Sequence, residues 1–158
     1  MKQRTVFDIN GKTYMSPAAA ADKWPISRQK IVAECKAGKV VGACLDSSNK
    51  WIIPIDARQP IDDENIRKIL ISLLCLKNKP STGSINVEAV KVNEVIDYLK
   101  ETGYLEKTDA CNLNDLVLTE KGMHVATEGS KLKLDWLNAG ITLVQVVGSI
   151  ASMWSLVR

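Results

Sequence analysis

The alternation of apolar and polar residues near the start of the chain predicts two short helices separated by a tight turn. Ser16 is a favourable N-cap, and Pro17 suits the first helical position, where its missing N–H costs nothing. Pro25 ends this helix, because proline disfavours the α conformation in the residue before it. Ser27 is expected to cap a second helix, and Gly38 to end it in a left-handed conformation.

Short extended segments flank these two helices. Asn10-Gly11 is the strongest two-residue signal for a hairpin and predicts a small one over residues 5–14. Residues 40–45 and 51–54 are largely apolar and bracket a polar turn, so they predict a second hairpin after the helices. We expect the ring of Trp51 to anchor the base of that hairpin.

The rest of the pattern is mainly helical. Apolar residues at helical spacing predict helices over residues 62–78 and 93–102. Two short strands at 104–106 and 116–118 are expected next, and Thr119 then opens another helix.

Composition marks one boundary clearly. Residues 56–62 form a polar segment that contains a proline, which is typical of a linker between domains. We therefore predict a first domain over residues 1–60, a second over 61–130, and a separate hydrophobic helix over 136–157.

Residues 136–157 contain no charged side chain, and their number suits the ~20 residues that span a bilayer. A polar stripe nevertheless recurs at helical spacing: Asn138, Thr142, Gln145, Ser149 and Ser152. Two interpretations remain. The helix either anchors a cytoplasmic protein to the inner face of the cell membrane, or it is buried in an oligomer or against the second domain with the stripe facing water. The unbroken lack of charge favours the anchor.

Charge is distributed unevenly along the chain. Residues 1–60 carry ten Lys/Arg against five Asp/Glu, whereas residues 61–158 carry eleven against thirteen. A basic first domain suits a polyanionic partner, because each phosphate contact releases condensed counterions. The acidic remainder does not suit one.

No constellation of residues in the sequence predicts an enzyme. The cysteines (Cys35, Cys44, Cys75 and Cys111) are scattered, and His124 is the only histidine. A zinc site needs closely spaced ligands, and a catalytic site needs a nucleophile beside a base. We therefore expect reduced structural thiols, no metal, no cofactor and no catalytic residues. The first residues also lack the apolar segment of a secretory signal.

Four motifs in the first domain occur in a specific order: SPAAAA at 16–21, ISR at 26–28, GKVVGA at 38–43 and WIIPIDA at 51–57. In this order and spacing, residues 14–62 resemble the excisionase-like helix-turn-helix family, which is related to the MerR-type winged helix. The resemblance covers about a third of the chain.

The resemblance implies that the second helix enters the major groove of double-stranded DNA and that the wing contacts the backbone or minor groove. Arginine can pair bidentately with guanine, and glutamine with adenine. The residues expected to contact DNA are Ser27, Arg28, Gln29, Lys30, Lys36, Lys39 and Lys50.

Residues 61–130 resemble a winged helix in general architecture, without resembling a particular family. The helix in the position of a recognition helix carries Glu94, Asp97 and Glu101. Phosphate would repel these carboxylates, so we predict a module for dimerisation or for binding a partner.

The predicted fold class is mainly α with small β wings: two tandem winged-helix-like domains plus a C-terminal hydrophobic helix. The leading hypothesis for function is a sequence-specific DNA-binding regulator of bacterial, phage or mobile-element type that forms a homo-oligomer. The alternative is a membrane-associated interaction or effector protein in which the winged helices dock other proteins.

Overall fold

A computed structural model describes the following residues: 6–9, 11–77, 89–109, 115–128 and 136–156. Within these ranges the chain forms six α-helices and one four-stranded antiparallel sheet. Helices predominate and the β-structure is small, as predicted. The chain separates into two compact units, residues 1–60 and 61–156.

The first unit contains four strands and two helices: β1 (Val6–Ile9), β2 (Lys12–Met15), α1 (Pro17–Lys23), α2 (Arg28–Lys36), β3 (Cys44–Leu45) and β4 (Trp51–Pro54). Both predicted N-caps are confirmed. The Ser16 hydroxyl accepts a hydrogen bond from the backbone N–H of Ala19 at 3.2 Å. The Ser27 hydroxyl accepts one from the N–H of Lys30 at 3.3 Å. Pro17 occupies the start of α1, as expected.

The two hairpins of the first unit join in one sheet, in the order β1-β2-β4-β3. Pairing of Met15 with Ile53 connects the N-terminal hairpin to the second one. The predicted hairpin over residues 5–14 is confirmed within the described residues, with Gly11 at φ +73°. Asn10 lies outside them.

The first strand of the second hairpin is much shorter than predicted. Residues 40–45 were expected to be extended, but only Cys44 and Leu45 pair with β4. Residues 40–43 instead form a turn, in which the N–H of Ala43 donates to the carbonyl of Val40 at 3.2 Å. Gly42, at φ +76°, makes this turn, and an apolar run alone does not reveal it.

Trp24 lies at the centre of the first unit's core and has no exposed surface. Ile31 and Cys35 of α2 pack into the same cluster, which confirms their predicted inward face. Trp51 is partly buried against the cluster and anchors the base of the second hairpin, as expected. The core therefore fixes the face of α2 that points away from solvent.

The second unit consists of four helices: α3 (Asp63–Lys77), α4 (Ala89–Glu101), α5 (Glu120–Thr127) and α6 (Trp136–Leu156). The helix predicted over residues 62–78 is confirmed as α3 within the described residues, and the N–H of Asn65 donates to the Asp62 carboxylate at 2.9 Å. The prediction that α4 starts at residue 93 is wrong, since the helix already includes Ala89. Thr119 caps α5 by accepting from the N–H of Gly122 at 3.1 Å.

The strands predicted at 104–106 and 116–118 are reduced to one isolated antiparallel bridge between Leu105 and Leu118. Two hydrogen bonds extend the contact: Glu106 N–H to the Val117 carbonyl at 2.9 Å, and Thr119 N–H to the Tyr104 carbonyl at 3.1 Å. Such a short pairing does not form a strand. Residues 110–114, between these segments, lie outside the described ranges.

α6 packs on α3 and α4 within the second unit. The ring of Trp154 lies 5.8 Å from that of Tyr98, centroid to centroid. The buried side of α6 consists of Leu143, Val147, Ile150, Ala151 and Trp154.

Among the helices described, α6 included, none is both long and apolar enough to cross a bilayer. The membrane anchor predicted over residues 136–157 stays a prediction. In α6, Gln145, Ser149 and Ser152 of the polar stripe are exposed, and the other side of the helix packs on protein. The side chain of Asn138, also assigned to the stripe, is outside the described part.

Candidate nucleic-acid interface

The N-terminal turn of α2 carries three of the predicted DNA-contacting residues. Arg28, Gln29 and Lys30 are all exposed, since Ile31 and Cys35 take the inward side of the helix. Lys36, in the last turn of α2, is exposed as well. From Arg28 to Lys36 the helix advances about 12 Å, at ~1.5 Å per residue.

Ser27 has a structural role in the same turn. Its hydroxyl caps the helix, so this oxygen holds the backbone of Arg28 to Lys30 in helical geometry. The positive end of the α2 dipole lies in the same turn as the cationic side chains of Arg28 and Lys30. An anion approaching this turn would meet both the dipole and the side-chain charges.

The prediction that Lys39 contacts DNA is not supported by its position. Lys39 is only 5% exposed, and its Nζ lies 3.3 Å from the Oε2 of Glu34. The contact is ionic, without the angles of a hydrogen bond. Lys39 follows the left-handed Gly38, which turns the chain back along the helix and brings the ammonium group to Glu34.

This ion pair changes the charge that α2 presents to solvent. Glu34 is the only acidic residue of the helix, and only 12% of its side chain is exposed. With its charge balanced by Lys39, the solvent-facing charges of α2 are those of Arg28, Lys30 and Lys36. The charge of the acidic residue of α2 is therefore balanced within the first unit.

The end of α2 is built by two backbone hydrogen bonds around Gly38. The N–H of Gly38 donates to the carbonyl of Cys35 at 3.0 Å, and that of Lys39 to the carbonyl of Glu34 at 2.9 Å. Gly38 has φ +70°, which favours glycine. This pattern is a Schellman cap, as the sequence predicts, and it directs the chain towards the second hairpin.

Lys50 lies at the tip of that hairpin and is exposed. The Asp46 carboxylate organises the tip by accepting from the N–H groups of Ser48 and Lys50, both at 2.8 Å. Asn49 adopts a left-handed conformation with φ 61°. The backbone that carries Lys50 is therefore held by several short-range hydrogen bonds.

Lys23 was not among the predicted site residues, yet it joins two parts of the first unit. Its ammonium group donates to the carbonyl of Ile55 at 2.7 Å, which links the end of α1 to the exit of the second hairpin. A lysine in the last turn of a helix favours the negative end of the dipole, but its sequence position does not reveal a partner 32 residues away.

The second unit presents a different surface. Asp97 and Glu101 of α4 are exposed, and Glu94 is half-buried. His124 is exposed, with Nδ1 3.7 Å from the carboxylate of Glu128. No group of three or more metal-ligating side chains occurs within the described ranges.

The cysteines do not come together in the parts of the chain that the structure covers. Cys35 is buried, Cys75 is half-buried and Cys44 is exposed, and all three are free thiols. Burial, and secondarily the carboxylate of Glu34, raises the pKa of the Cys35 thiol to about 11. Cys111 lies outside the described residues.

Comparison with protein-family models, with curated proteins and with solved structures finds no match for this chain.

Proposed function

We propose that this chain is a sequence-specific DNA-binding regulator of bacterial, phage or mobile-element type, with an excisionase-like winged helix as its first unit. In this proposal α2 is the recognition helix, and the hairpin of β3 and β4 is the wing. The observation that carries it is the exposed basic surface of α2, whose only acidic residue is paired with a buried lysine.

The chemistry of this surface fits duplex DNA better than other partners. Arg28 and Gln29 can hydrogen-bond to base edges in the major groove, where guanine and adenine present distinct acceptor and donor patterns. Lys30 and Lys36 fit phosphate contacts, and Lys50 on the wing fits a contact to the neighbouring backbone. Five residues on two elements thus supply both kinds of contact that sequence-specific binding requires.

For the second unit we propose a winged-helix-like module that serves self-association. The exposed carboxylates of Asp97 and Glu101 on α4 would repel phosphate, so this helix does not suit a second DNA contact. Two-fold oligomers are common among DNA-binding regulators, since a dimer reads two half-sites.

Selection from a random duplex library, followed by titration of the selected site, tests the DNA-binding proposal. Arg28→Ala should cost about 1–3 kcal/mol on the selected site and relax the preference at one base position. Lys30→Ala should weaken binding to all sequences similarly and lower the slope of log K against log salt by about 1.

Lys68→Ala is the matched control, because it removes another exposed helical lysine, one in the second unit that is paired with Glu64. If Lys68→Ala weakens binding as much as Lys30→Ala, net charge and not α2 governs the affinity. Binding by the Arg28→Ala, Lys30→Ala double variant at the wild-type level would contradict the proposal outright.

A further inference from the structure

The side of α6 that faces away from α3 and α4 is exposed and carries no charge. Ile141 is 50% exposed and Val144 is 38% exposed, although both are large apolar residues. No Asp, Glu, Lys or Arg occurs anywhere in α6. An exposed helix face normally carries charged residues, so this surface is an exception that calls for a physical reason.

Five residues form a stripe along one edge of this exposed side, which we term the outer stripe: Ile141, Val144, Gly148, Ser152 and Ser155. Gly148 is half-buried and the other four are exposed. Their spacings are three, four, four and three residues. The mean spacing, about 3.5 residues, is that of the contact seam between helices in a left-handed coiled coil. The outer stripe therefore has the periodicity of a helix that pairs with another helix.

Large side chains occupy one half of the outer stripe and small side chains the other half. Two stripes that run in opposite directions therefore place large residues opposite small ones. The large residues Ile141 and Val144 precede the central Gly148, and the small residues Ser152 and Ser155 follow it. When an identical helix runs antiparallel with Gly148 opposite Gly148, Ile141 faces Ser155 and Val144 faces Ser152. Each of these large–small pairs occurs twice, as a two-fold axis requires.

The hydroxyl groups of the outer stripe do not need water. Ser152 Oγ donates to the carbonyl of Gly148 at 2.9 Å, and Ser155 Oγ donates to that of Ala151 at 2.9 Å. Burying a hydroxyl is costly mainly when it loses its hydrogen-bond partner, and these two keep theirs inside the helix. A dry interface at this stripe therefore leaves both serine donors satisfied.

Gly148 provides the point of closest approach. Among the described residues, a Cβ built at this position would have no neighbouring atom within 4 Å, so their packing does not explain the glycine. Glycine in a helix interior costs about 1 kcal/mol relative to alanine. A helix that crosses at this position offers a reason for it, because small residues allow two backbones to approach closely.

We propose that the outer stripe pairs with the outer stripe of a second copy of this chain, antiparallel and centred on Gly148. The second copy is the indicated occupant because the stripe is uncharged, so two copies do not repel each other, and because its sizes complement its own reverse. The inference deepens the self-association proposed for the second unit and names its surface. It is tested without DNA, so the DNA-binding proposal can fail independently.

Sedimentation equilibrium of the full chain over about 1–200 μM measures the dimer. The pairing involves one helix from each copy, small beside a standard interface of ~1,600 Å², so we expect dissociation in the micromolar range. Gly148→Leu should raise the dissociation constant at least about 10-fold. Its unfolding temperature, measured on the dilute monomer, should stay equal or rise, because leucine is the better helix former.

Met153→Lys is the matched control. Met153 is 40% exposed, close to the value for Val144, but lies about 180° around the same helix. Placing a charge there should leave the dissociation constant within about 3-fold of wild type, whereas Val144→Glu should raise it at least about 10-fold.

The register is tested by restoring the interface with opposite charges. Ser152→Lys added to Val144→Glu places a lysine of each copy opposite the glutamate of the other, and the two positions are too far apart to pair within one helix. The double variant should regain the dimer to within about 3-fold of wild type.

Three results would overturn the proposal. A wild-type chain that stays monomeric over the whole range would show that the stripe does not pair with a second copy. A dimer indifferent to Gly148→Leu would place self-association elsewhere in the second unit. Failure of Ser152→Lys to restore the dimer of a folded Val144→Glu chain would exclude the antiparallel register.

Discussion

The ion pair between Lys39 and Glu34 decides which charges α2 presents to solvent. A buried ion pair of this kind contributes little net stability, because desolvation offsets the attraction between the charges. Its consequence is local, because the charges of one acidic and one basic residue are both withdrawn from solvent. What remains exposed on α2 is basic, and this is the basis of the proposed DNA contact.

Cys35, one residue from Glu34, makes the stability of the first unit depend on pH. Its pKa is raised from 9.0 to about 11, mainly by burial and then by Glu34. Between these values the unfolded chain loses a proton that the folded chain keeps. The stabilising contribution is therefore complete below pH 9 and is lost as the pH rises through about 11.

We expect the free energy of unfolding to fall across this pH range by at most about 3 kcal/mol more in wild type than in Cys35→Val. Urea unfolding of both chains at several pH values measures the difference, and lysines and tyrosines that titrate in the same range affect both equally. Parallel curves for the two chains would show that the Cys35 thiol does not carry the effect.

At the level of elements, the helices of this chain begin and end on short-range hydrogen bonds. Ser16, Ser27 and Thr119 cap the starts of α1, α2 and α5. The end of α4 repeats the pattern seen at α2: Gly103 donates to the carbonyl of Lys100, and Tyr104 to that of Leu99. Residues a few positions apart supply both partners, which is why the sequence predicts these ends.

The start of α5 also makes a contact that is not local. The Thr119 hydroxyl donates to the carbonyl of Gly103 at 2.7 Å, which holds α5 against the end of α4. Gly122 lies so close to this segment that a Cβ would overlap the carbonyl oxygen of Tyr104. The glycine is required by space and not by its backbone conformation.

Gly122→Ala should therefore destabilise the fold by more than about 2 kcal/mol, because the backbone of Tyr104 cannot move aside freely. Gly148→Ala is the matched control: its Cβ meets no atom, and alanine should be neutral or stabilise by up to about 1 kcal/mol. Chemical unfolding of both variants in dilute solution measures the effects. Equal stabilities would contradict the predicted close approach.

At the scale of the whole molecule, each unit has a hydrophobic core of its own. Trp24 and Ile53 are fully buried in the first unit, and Ile66 and Leu99 in the second. The basic surface of α2 lies on the first unit, and the outer stripe of α6 lies on the second. The proposed functions are thus carried by separate structural units.

We expect a cavity in one core to loosen that unit first. Ile53→Ala and Leu99→Ala each remove a fully buried side chain, at a cost of about 2–5 kcal/mol. Hydrogen exchange followed by mass spectrometry should show faster exchange in residues 6–60 for Ile53→Ala and in residues 61–156 for Leu99→Ala. Loss of protection in both units with either variant would mean that they unfold as one.

The sequence predicts much of the secondary structure, but few of the contacts between elements that are far apart in the chain. The pairing of Met15 with Ile53, which joins two hairpins into one sheet, links residues far apart in the chain. No short pattern encodes such a contact. The same holds for the candidate site: the exposure of Arg28 to Lys30 follows from helical spacing, whereas the burial of Lys39 depends on how the chain turns after Gly38.

By itself, the sequence determined where α1 and α2 begin and end, which side of α2 faces the core and that the first 60 residues are basic, since each depends on neighbouring residues or on composition. Only the tertiary structure decided that Glu34 is neutralised by Lys39 and that α6 packs on α3 and α4. The reason is physical: an uncharged helix has the same sequence whether lipid or protein covers it, and only the surrounding elements decide which of its sides is buried.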